Sequence, residues 1–383
     1  MADAMSIPSQ PQVKEGTATK ILKDVFGMSV KSIKQLDSYS DCNFLVKVEE
    51  QHSNTLVDTI WPHGYLLKFT NKEESLEQTY IETQCQVLLY LKKNGIDAPQ
   101  SVKNLNGTNI YLVNIHHENG SLVPDEELAS VPHGSYCVRL FTFLPENQMA
   151  SLTNISSATF FEAGKFVAQV DALLQKSKLT NEDYENHTGT FVLDNLDNFF
   201  EKSKSIKDSA FRERLQSFLR HFEGVTIPAL IAGAKRQPIH GDFNPHNILV
   251  KISDNGETII SGLIDIYDTS IGYVVHEIAI CMTHLMYQFQ NSHDIFEIGG
   301  HVLAGFLSTL KLSEIELNVI RDCILARLYK TVVIGFWTMG GEGADNEYVR
   351  KHTEDALQIL DRVEEKSEKD LYTIWDSVRK SYV

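Results

Sequence analysis

Cysteine is scarce in this chain and follows no pairing pattern. Five residues, Cys42, Cys85, Cys137, Cys281 and Cys323, are scattered with no Cys-x-x-Cys spacing. An odd, dispersed set argues against a disulfide framework and a zinc site and fits a reducing compartment. Long apolar runs are missing too. The longest candidate, Tyr273 to Tyr287, is broken by His276, Glu277 and His284, so no segment reaches the roughly 18 residues of a membrane span. Positive charge is in deficit: 35 Lys and Arg against 51 Asp and Glu give a formal net charge of -16. That charge repels phosphate backbones and anionic membranes, so neither a nucleic-acid nor a membrane partner is expected. No arginine precedes Arg139, and Met1 to Gly16 is polar with two prolines. This segment, 1–16, reads as a disordered tail rather than a signal peptide or mitochondrial presequence, and the protein as cytoplasmic.

The 383 residues, 42% hydrophobic and 22% charged, suffice for two domains or one bilobal enzyme. Phe44, Val46 and Val48 alternate with outward residues, Tyr65 to Phe69 is a short apolar strand, and Ile110, Leu112, Tyr136, Val138 and Leu140 continue the alternation. Ser75 to Lys93 carries Ile81, Cys85, Leu88 and Leu89 at helical spacing and stops at Asn94-Gly95. Residues 17–145 are therefore expected to form a small antiparallel sheet with one main helix. Residues 146–383 turn mainly helical. Helices are expected over Ala158 to Gln175, Leu193 to Lys202, Phe211 to Phe222, Val274 to Phe289, Gly300 to Leu310, Leu312 to Met339 and Val349 to Val363. The predicted class is α+β, in two lobes.

One stretch inside the helical half carries chemistry: Ile-His-Gly-Asp-Phe-Asn-Pro-His-Asn-Ile-Leu-Val, residues 239–250, followed by Leu263-Ile-Asp265-Ile-Tyr. Asn255-Gly256 between them is a strong hairpin signal, so Asn247 to Ile252 should pair with Thr258 to Ile264. The hairpin returns Asp265 to the neighbourhood of Asn247, beside the turn-rich loop that holds Asp242. A base, an amide and an acid then converge. Phosphoryl transfer needs this set: an Asp to orient and deprotonate the acceptor hydroxyl, and an Asn and a second Asp as hard oxygen ligands for magnesium. Bland turn-capping explains any one of the three residues but not all three at this spacing.

His240-Gly-Asp242-Phe-Asn-Pro-His-Asn247 with Leu263-Ile-Asp265 resembles the signature of the aminoglycoside phosphotransferase and choline kinase superfamily. That superfamily shares the protein-kinase fold but phosphorylates small molecules. Within it, Val25-Phe-Gly, Ser38-Tyr-Ser-Asp-Cys-Asn-Phe, Tyr65-Leu-Leu-Lys, Val138-Arg-Leu and Gly299-Gly-His-Val-Leu-Ala-Gly-Phe are similar to stretches of the hydroxylysine kinases. The likeness runs from about residue 20 to the C-terminus. It implies an α+β bilobal kinase-like fold, Mg2+, GTP or ATP as donor with GTP favoured, and a cationic hydroxy amino acid as acceptor in lysine and hydroxylysine breakdown. Choline, ethanolamine or aminoglycoside kinases are the alternatives of the same chemistry, and a nucleotide-binding pseudokinase the alternative of another class.

The kinase plan gives roles to further residues. Lys68, a lysine within an apolar strand, needs an anionic partner, and is expected to meet the donor's phosphates with Glu82 of the following helix fixing its ammonium. Ser38 and Asn43 flank a phosphate-covering turn that has no glycine, so hydroxyl and amide donors replace backbone ones. Val138 to Pro145 stands where backbone groups of a hinge would hold the purine. Glu277 occupies the place of a residue that braces the catalytic loop. Asp268 either binds a substrate ammonium or caps the helix beyond Gly272, and Arg327 either holds a substrate carboxylate or pairs with one of the chain's own acids. After Asp265 the chain reads Ile-Tyr and runs into a helix without an Ala-Pro-Glu segment, which leaves no platform for a protein substrate.

Overall fold

The alternation of Phe44, Val46 and Val48 becomes a strand whose even-numbered face is apolar, and all three side chains are buried. In the computed structural model, residues 10–38, 40–177, 192–204, 206–340 and 347–382 are described. The chain divides into two units, Met1–Pro145 and Glu146–Val383. The first contains α1 (Glu15–Asp24), β1 (Met28–Leu36), β2 (Cys42–His52), β3 (Tyr65–Phe69), α2 (Gln78–Lys93), β4 (Ser101–Val102), β5 (Tyr111–His116) and β6 (His133–Thr142). The sheet order is β1-β2-β3-β6-β4, with β5 on the other half of β6, and every pairing is antiparallel. Leu22, Phe26, Phe44, Leu67, Phe69 and Tyr136 form its core. Helix α1 begins at Glu15, inside the stretch expected to be a tail, because Thr17, Ala18, Ile21 and Leu22 bury one face against the sheet. Residues 1–9 of that expected tail lie outside the described residues.

The second unit contains β7 (Asn147–Gln148), α3 (Ser157–Lys176), α4 (Leu196–Ser203), α5 (Ser209–His221), α6 (Ile227–Gly233), β8 (Arg236–Ile239), β9 (Ile248–Ile252), β10 (Thr258–Leu263) and β11 (Ser270–Tyr273). It continues with α7 (Val274–Phe289), α8 (Ile295–Leu307), α9 (Glu314–Met339), α10 (Glu347–Glu365) and α11 (Glu368–Lys380). The expected hairpin is β9–β10, joined on its far side by β7, while β8 pairs with β11. Helix α7 is buried on nearly every side and α9 from Cys323 to Gly335, as apolar composition all round a helix requires. Ser313 and Glu316 start α9 with a reciprocal capping box. Helices α6 and α11 were not expected from the sequence; α11 is a short amphipath that buries only Leu371 and Trp375.

Glycine sets how closely α3 and α8 approach. A Cβ on Gly164 would lie 1.9 Å from the Val302 carbonyl oxygen, and one on Gly305 would lie 1.8 Å from that of Phe161. Both obstacles are backbone, so only a shift of the helices could accommodate a side chain. Gly164→Ala should therefore cost about 3 kcal/mol, at the upper end of ordinary overpacking, and lower the urea midpoint. Gly224→Ala, where the new Cβ meets nothing within 4 Å, should stay within about 0.5 kcal/mol of the parent. Equal midpoints for the two variants would refute this account of the helix contact.

Candidate active site

The loop 240–247 is anchored at both ends by strands of different sheets: Ile239 of β8 pairs with Ser270, and Ile248 of β9 with Leu263. Within it Gly241 has φ 82°, and a Cβ there would sit 2.2 Å from the Asp268 carbonyl oxygen, so the turn admits only glycine. Glu277, fully buried on α7, accepts the backbone N–H of His240 and, at 3.1 Å, that of Gly241. The expected brace is present, and the longer side chain reaches it. Phe243 is buried beneath the loop, stacked on the His240 ring at 4.4 Å.

The Asp242 carboxylate is held by three donors. Arg327 Nη2 donates to Oδ1 at 2.9 Å, and the amides of Asn244 and Asn247 donate to Oδ2 at 2.7 and 3.0 Å. Asn247 Nδ2 also donates to the Asp242 carbonyl at 3.0 Å, so its Oδ1 is the atom left to face a cation. The Asn247 carbonyl in turn accepts from Ile264 N at 2.9 Å, which fixes the residue before Asp265. Asp265 itself has φ 58°, and among the described residues it is the one non-glycine in the left-handed region. Such a conformation costs of order 1–3 kcal/mol at most and is tolerated by Asp, and it aims a carboxylate rather than packing a side chain. Among the described residues no three His, Cys, Asp or Glu side chains converge as a ready metal cage. A hard cation such as magnesium does not need one: an amide oxygen, a carboxylate and phosphate oxygens suit it, and Asn247 and Asp265 are residues that could offer the first two.

Arg327 pairs with the chain's own Asp242, an internal acid, which is one of its two expected partners. Its side chain is 4% exposed and is shared with His284, whose Nε2 accepts from Arg327 Nε at 3.1 Å and Nη2 at 2.9 Å. An arginine can only donate, so His284 carries its proton on Nδ1 and gives it to the Tyr287 hydroxyl. The Tyr287 hydroxyl also bonds His352 Nε2 at 2.9 Å. Burial first, and then the Arg327 charge, hold His284 well below its ordinary range and bring His352 down to about 4. Both imidazoles are neutral at physiological pH, so neither competes as a cation with Arg327 for Asp242.

A second buried acid lies near the brace. Asp171 on α3 is fully buried, and neither carboxylate oxygen has a hydrogen-bond partner among the described residues. Burial and the like charge of Glu277 push Asp171 well above the ordinary range; burial also raises Glu277, to about 8, against its two backbone N–H bonds, which favour the ionised form. The pair therefore retains a proton near neutrality, and Asp171, which has no such bonds, is the better place for it.

In the first unit Lys68 is buried on β3, and its ammonium lies 2.9 Å from Asp41 Oδ2. The Glu82 carboxylate accepts from Asn109 Nδ2 at 2.6 Å, so the ion pair seen for Lys68 is with Asp41 and not with the expected Glu82. Asn43 Nδ2 donates to Ser38 Oγ at 3.2 Å, which brings those two predicted residues together, while Tyr39 of the same turn lies outside the described residues. Asp268 does not cap a helix: β11 intervenes, and the N-cap of α7 is Tyr273 without a side-chain bond.

Sequence reading missed Asp41, Asp171, His284, Tyr287 and His352. A signal existed for two of them. Asp171 lies in the apolar stripe of Val167, Val170 and Leu174, and His284 sits on a mostly apolar helix that is buried on nearly every side.

Residues 45–300 match the profile of the Phosphotransferase enzyme family. The chain belongs to that family. It is a phosphotransferase acting on a hydroxyl group of a small molecule, with the protein-kinase-like fold. Hydroxylysine kinase of Mus musculus is 29% identical over 382 residues, which cover 98% of this chain and 95% of the relative. Hydroxylysine kinase of Xenopus laevis is 27% identical over 383 residues, 98% of this chain and 96% of that one. Among solved structures, an amicoumacin kinase in complex with AMP-PNP, Ca2+ and Ami superposes with a TM-score of 0.62 at 15% identity, over 95% of this chain and 94% of its own.

Two outcomes follow from the geometry of the family's loop here. Arg327→Met should lower kcat about 100-fold for every acceptor alike, because it releases Asp242 and not a substrate group. A rise in KM confined to acceptors bearing a carboxylate would instead make Arg327 a substrate ligand. The native Asp171–Glu277 pair holds a proton that the unfolded chain releases near pH 4, so stability falls as pH rises above that range. Asp171→Asn should flatten the fall and leave the protein at least ~1 kcal/mol more stable at about pH 8 by urea unfolding. An unchanged pH slope would place the proton elsewhere.

Proposed function

We propose that this phosphotransferase moves the γ-phosphoryl group of a purine nucleoside triphosphate, GTP in preference to ATP, to the hydroxyl of 5-hydroxy-L-lysine. The setting is the breakdown of lysine and hydroxylysine in the cytoplasm. The observation that carries the chemistry is the Asp242 carboxylate, held by Arg327, Asn244 and Asn247 with Asp265 fixed next to Asn247 through Ile264. The acceptor is supported by the near full-length match to hydroxylysine kinases. Five buried free thiols support a reducing compartment, and among the described residues no helix is long and apolar enough to cross a membrane.

In this reading Asp242 accepts a hydrogen bond from the acceptor hydroxyl, points its oxygen at the phosphorus and takes the proton as the new bond forms. Arg327 and the two amides prevent the carboxylate from rotating, so the orientation is set before the acceptor arrives. Asn247 and Asp265 would hold Mg2+, which when bound neutralises charge on the phosphate oxygens. Lys68 meets the donor's phosphates, with Ser38 and Asn43 as neighbouring donors, and Asp268, beside Gly241, is the carboxylate offered to an acceptor ammonium.

The test is a screen of hydroxy amino acids and amino alcohols against ATP and GTP, following nucleoside diphosphate release. Hydroxylysine with GTP should give the highest kcat/KM, and lysine, which lacks the hydroxyl, should give none. Faster turnover of choline, ethanolamine or an aminoglycoside would replace the acceptor. Asp242→Asn should reduce kcat by roughly 10²- to 10⁴-fold with nucleotide affinity nearly intact. Asp265→Ala should weaken binding of the magnesium-nucleotide complex. Nucleotide binding without turnover by the parent for any acceptor would mark a pseudokinase.

A further inference from the structure

We infer that Asp41, rather than a carboxylate of α2, is the positioning residue for Lys68, so that the phosphate-binding lysine is fixed within the sheet itself. The inference rests on the reading that Lys68 meets the donor's phosphates.

Lys68 sits on a central strand, opposite Asn43 of β2 and Arg139 of β6. Its side chain is 8% exposed and that of Asp41 7%, so the pair is desolvated and each charge needs the other. Asp41 is anchored as well as paired. Its Oδ1 accepts from the backbone N–H of Asn71 at 2.8 Å and from Asn71 Nδ2 at 3.3 Å, while Oδ2 faces the ammonium. Burial opposes its charge, yet the Lys68 charge and hydrogen bond, the Asn71 N–H and the Arg139 charge together hold it below the ordinary carboxylate range. Glu74 nearby is pushed up to about 7 by burial and by Asp41, so it carries the weaker charge of the two acids.

Helix α2 presents an amide to these cations. Gln84 is buried and accepts from Arg139 Nη1 at 2.9 Å. Glu82, two residues earlier and so about 200° away around the helix, is turned to Asn109. A lysine partnered from a helix can be released by moving that helix. Asp41 immediately precedes β2, and Cys42 and Asn43 pair with Phe69 and Lys68 across the β2–β3 ladder. The ion pair therefore forms when the sheet forms and is insensitive to where α2 lies.

The experiment compares full-length Asp41→Asn and Glu82→Gln for Mg·ATP and Mg·GTP affinity and for steady-state kinetics. Asp41→Asn keeps shape and an acceptor for the Asn71 N–H but removes the charge. Its kcat/KM for the donor should fall about 30-fold or more, the scale of losing one partner of a buried charge pair, with acceptor KM changed less than about twofold. The loss should exceed that of Glu82→Gln at least about tenfold, and in a Lys68→Met background Asp41→Asn should add less than about threefold. Asp41→Glu, which keeps the charge but displaces it, should lose less than Asp41→Asn, and it carries the same comparison if the Asn variant does not fold. A Glu82→Gln effect equal to or larger than that of Asp41→Asn overturns the inference, because the helix acid then holds the lysine with donor bound. So does an Asp41→Asn variant with a lowered melting temperature and unchanged donor kinetics. A parent chain that binds neither nucleotide removes the functional reading and this inference with it.

Discussion

The grip of Glu277 on two backbone N–H groups is the constraint on which the second unit's chemistry depends. A carboxylate is placed in a fully buried helix, where an unpaired charge would be expensive, and its partners are the amides of His240 and Gly241. Those amides point inward only because Gly241 adopts a left-handed turn that no side chain could occupy beneath Asp268. Once the turn is fixed, Asp242 projects on the opposite side and meets Arg327. Burial raises Asp171 well above the ordinary carboxylate range, which spares the interior a second negative charge beside Glu277.

The polar groups of the helical core are arranged so that each donor has an acceptor that cannot compete with it. Arg327 can only donate, which makes the neighbouring nitrogen of His284 an acceptor and sends the proton of that ring toward Tyr287. Burial keeps His284 and His352 neutral, so a single positive charge, that of Arg327, faces Asp242 from this side. The first unit uses the same device on a sheet: two cations on adjacent strands, Lys68 and Arg139, are separated in role by giving one the Asp41 carboxylate and the other the Gln84 amide. In both units a charged group is held by residues on or directly beside regular elements, which is what lets a site be set before substrate arrives.

Against a net charge of -16, the first unit buries two cations on adjacent strands, Lys68 and Arg139, which concentrates positive charge within the sheet. The remaining acids are dispersed over helices such as α10 and α11, whose exposed faces they keep in water.

Local pattern in the sequence was enough for the strands around Phe44 and Leu67, the helix Val274–Phe289 and the β9–β10 hairpin, because alternation, helical periodicity and Asn-Gly are each a property of neighbouring residues. It also placed Asp242, Asn247 and Asp265 together, since a hairpin of known length has one way to return. Helices α1, α6 and α11 escaped it because the packing that stabilises them lies elsewhere in the chain. What only the tertiary structure decided was the choice of partner. Periodicity shows that Arg327 lies among buried residues but not that Asp242, 85 positions away, is the acid beside it. Likewise an apolar strand demands a counter-ion for Lys68 without choosing between Glu82 and Asp41; the direction of α2 and the register of β2 on β3 make that choice. Pairing of charges across a fold depends on distances that no local pattern encodes.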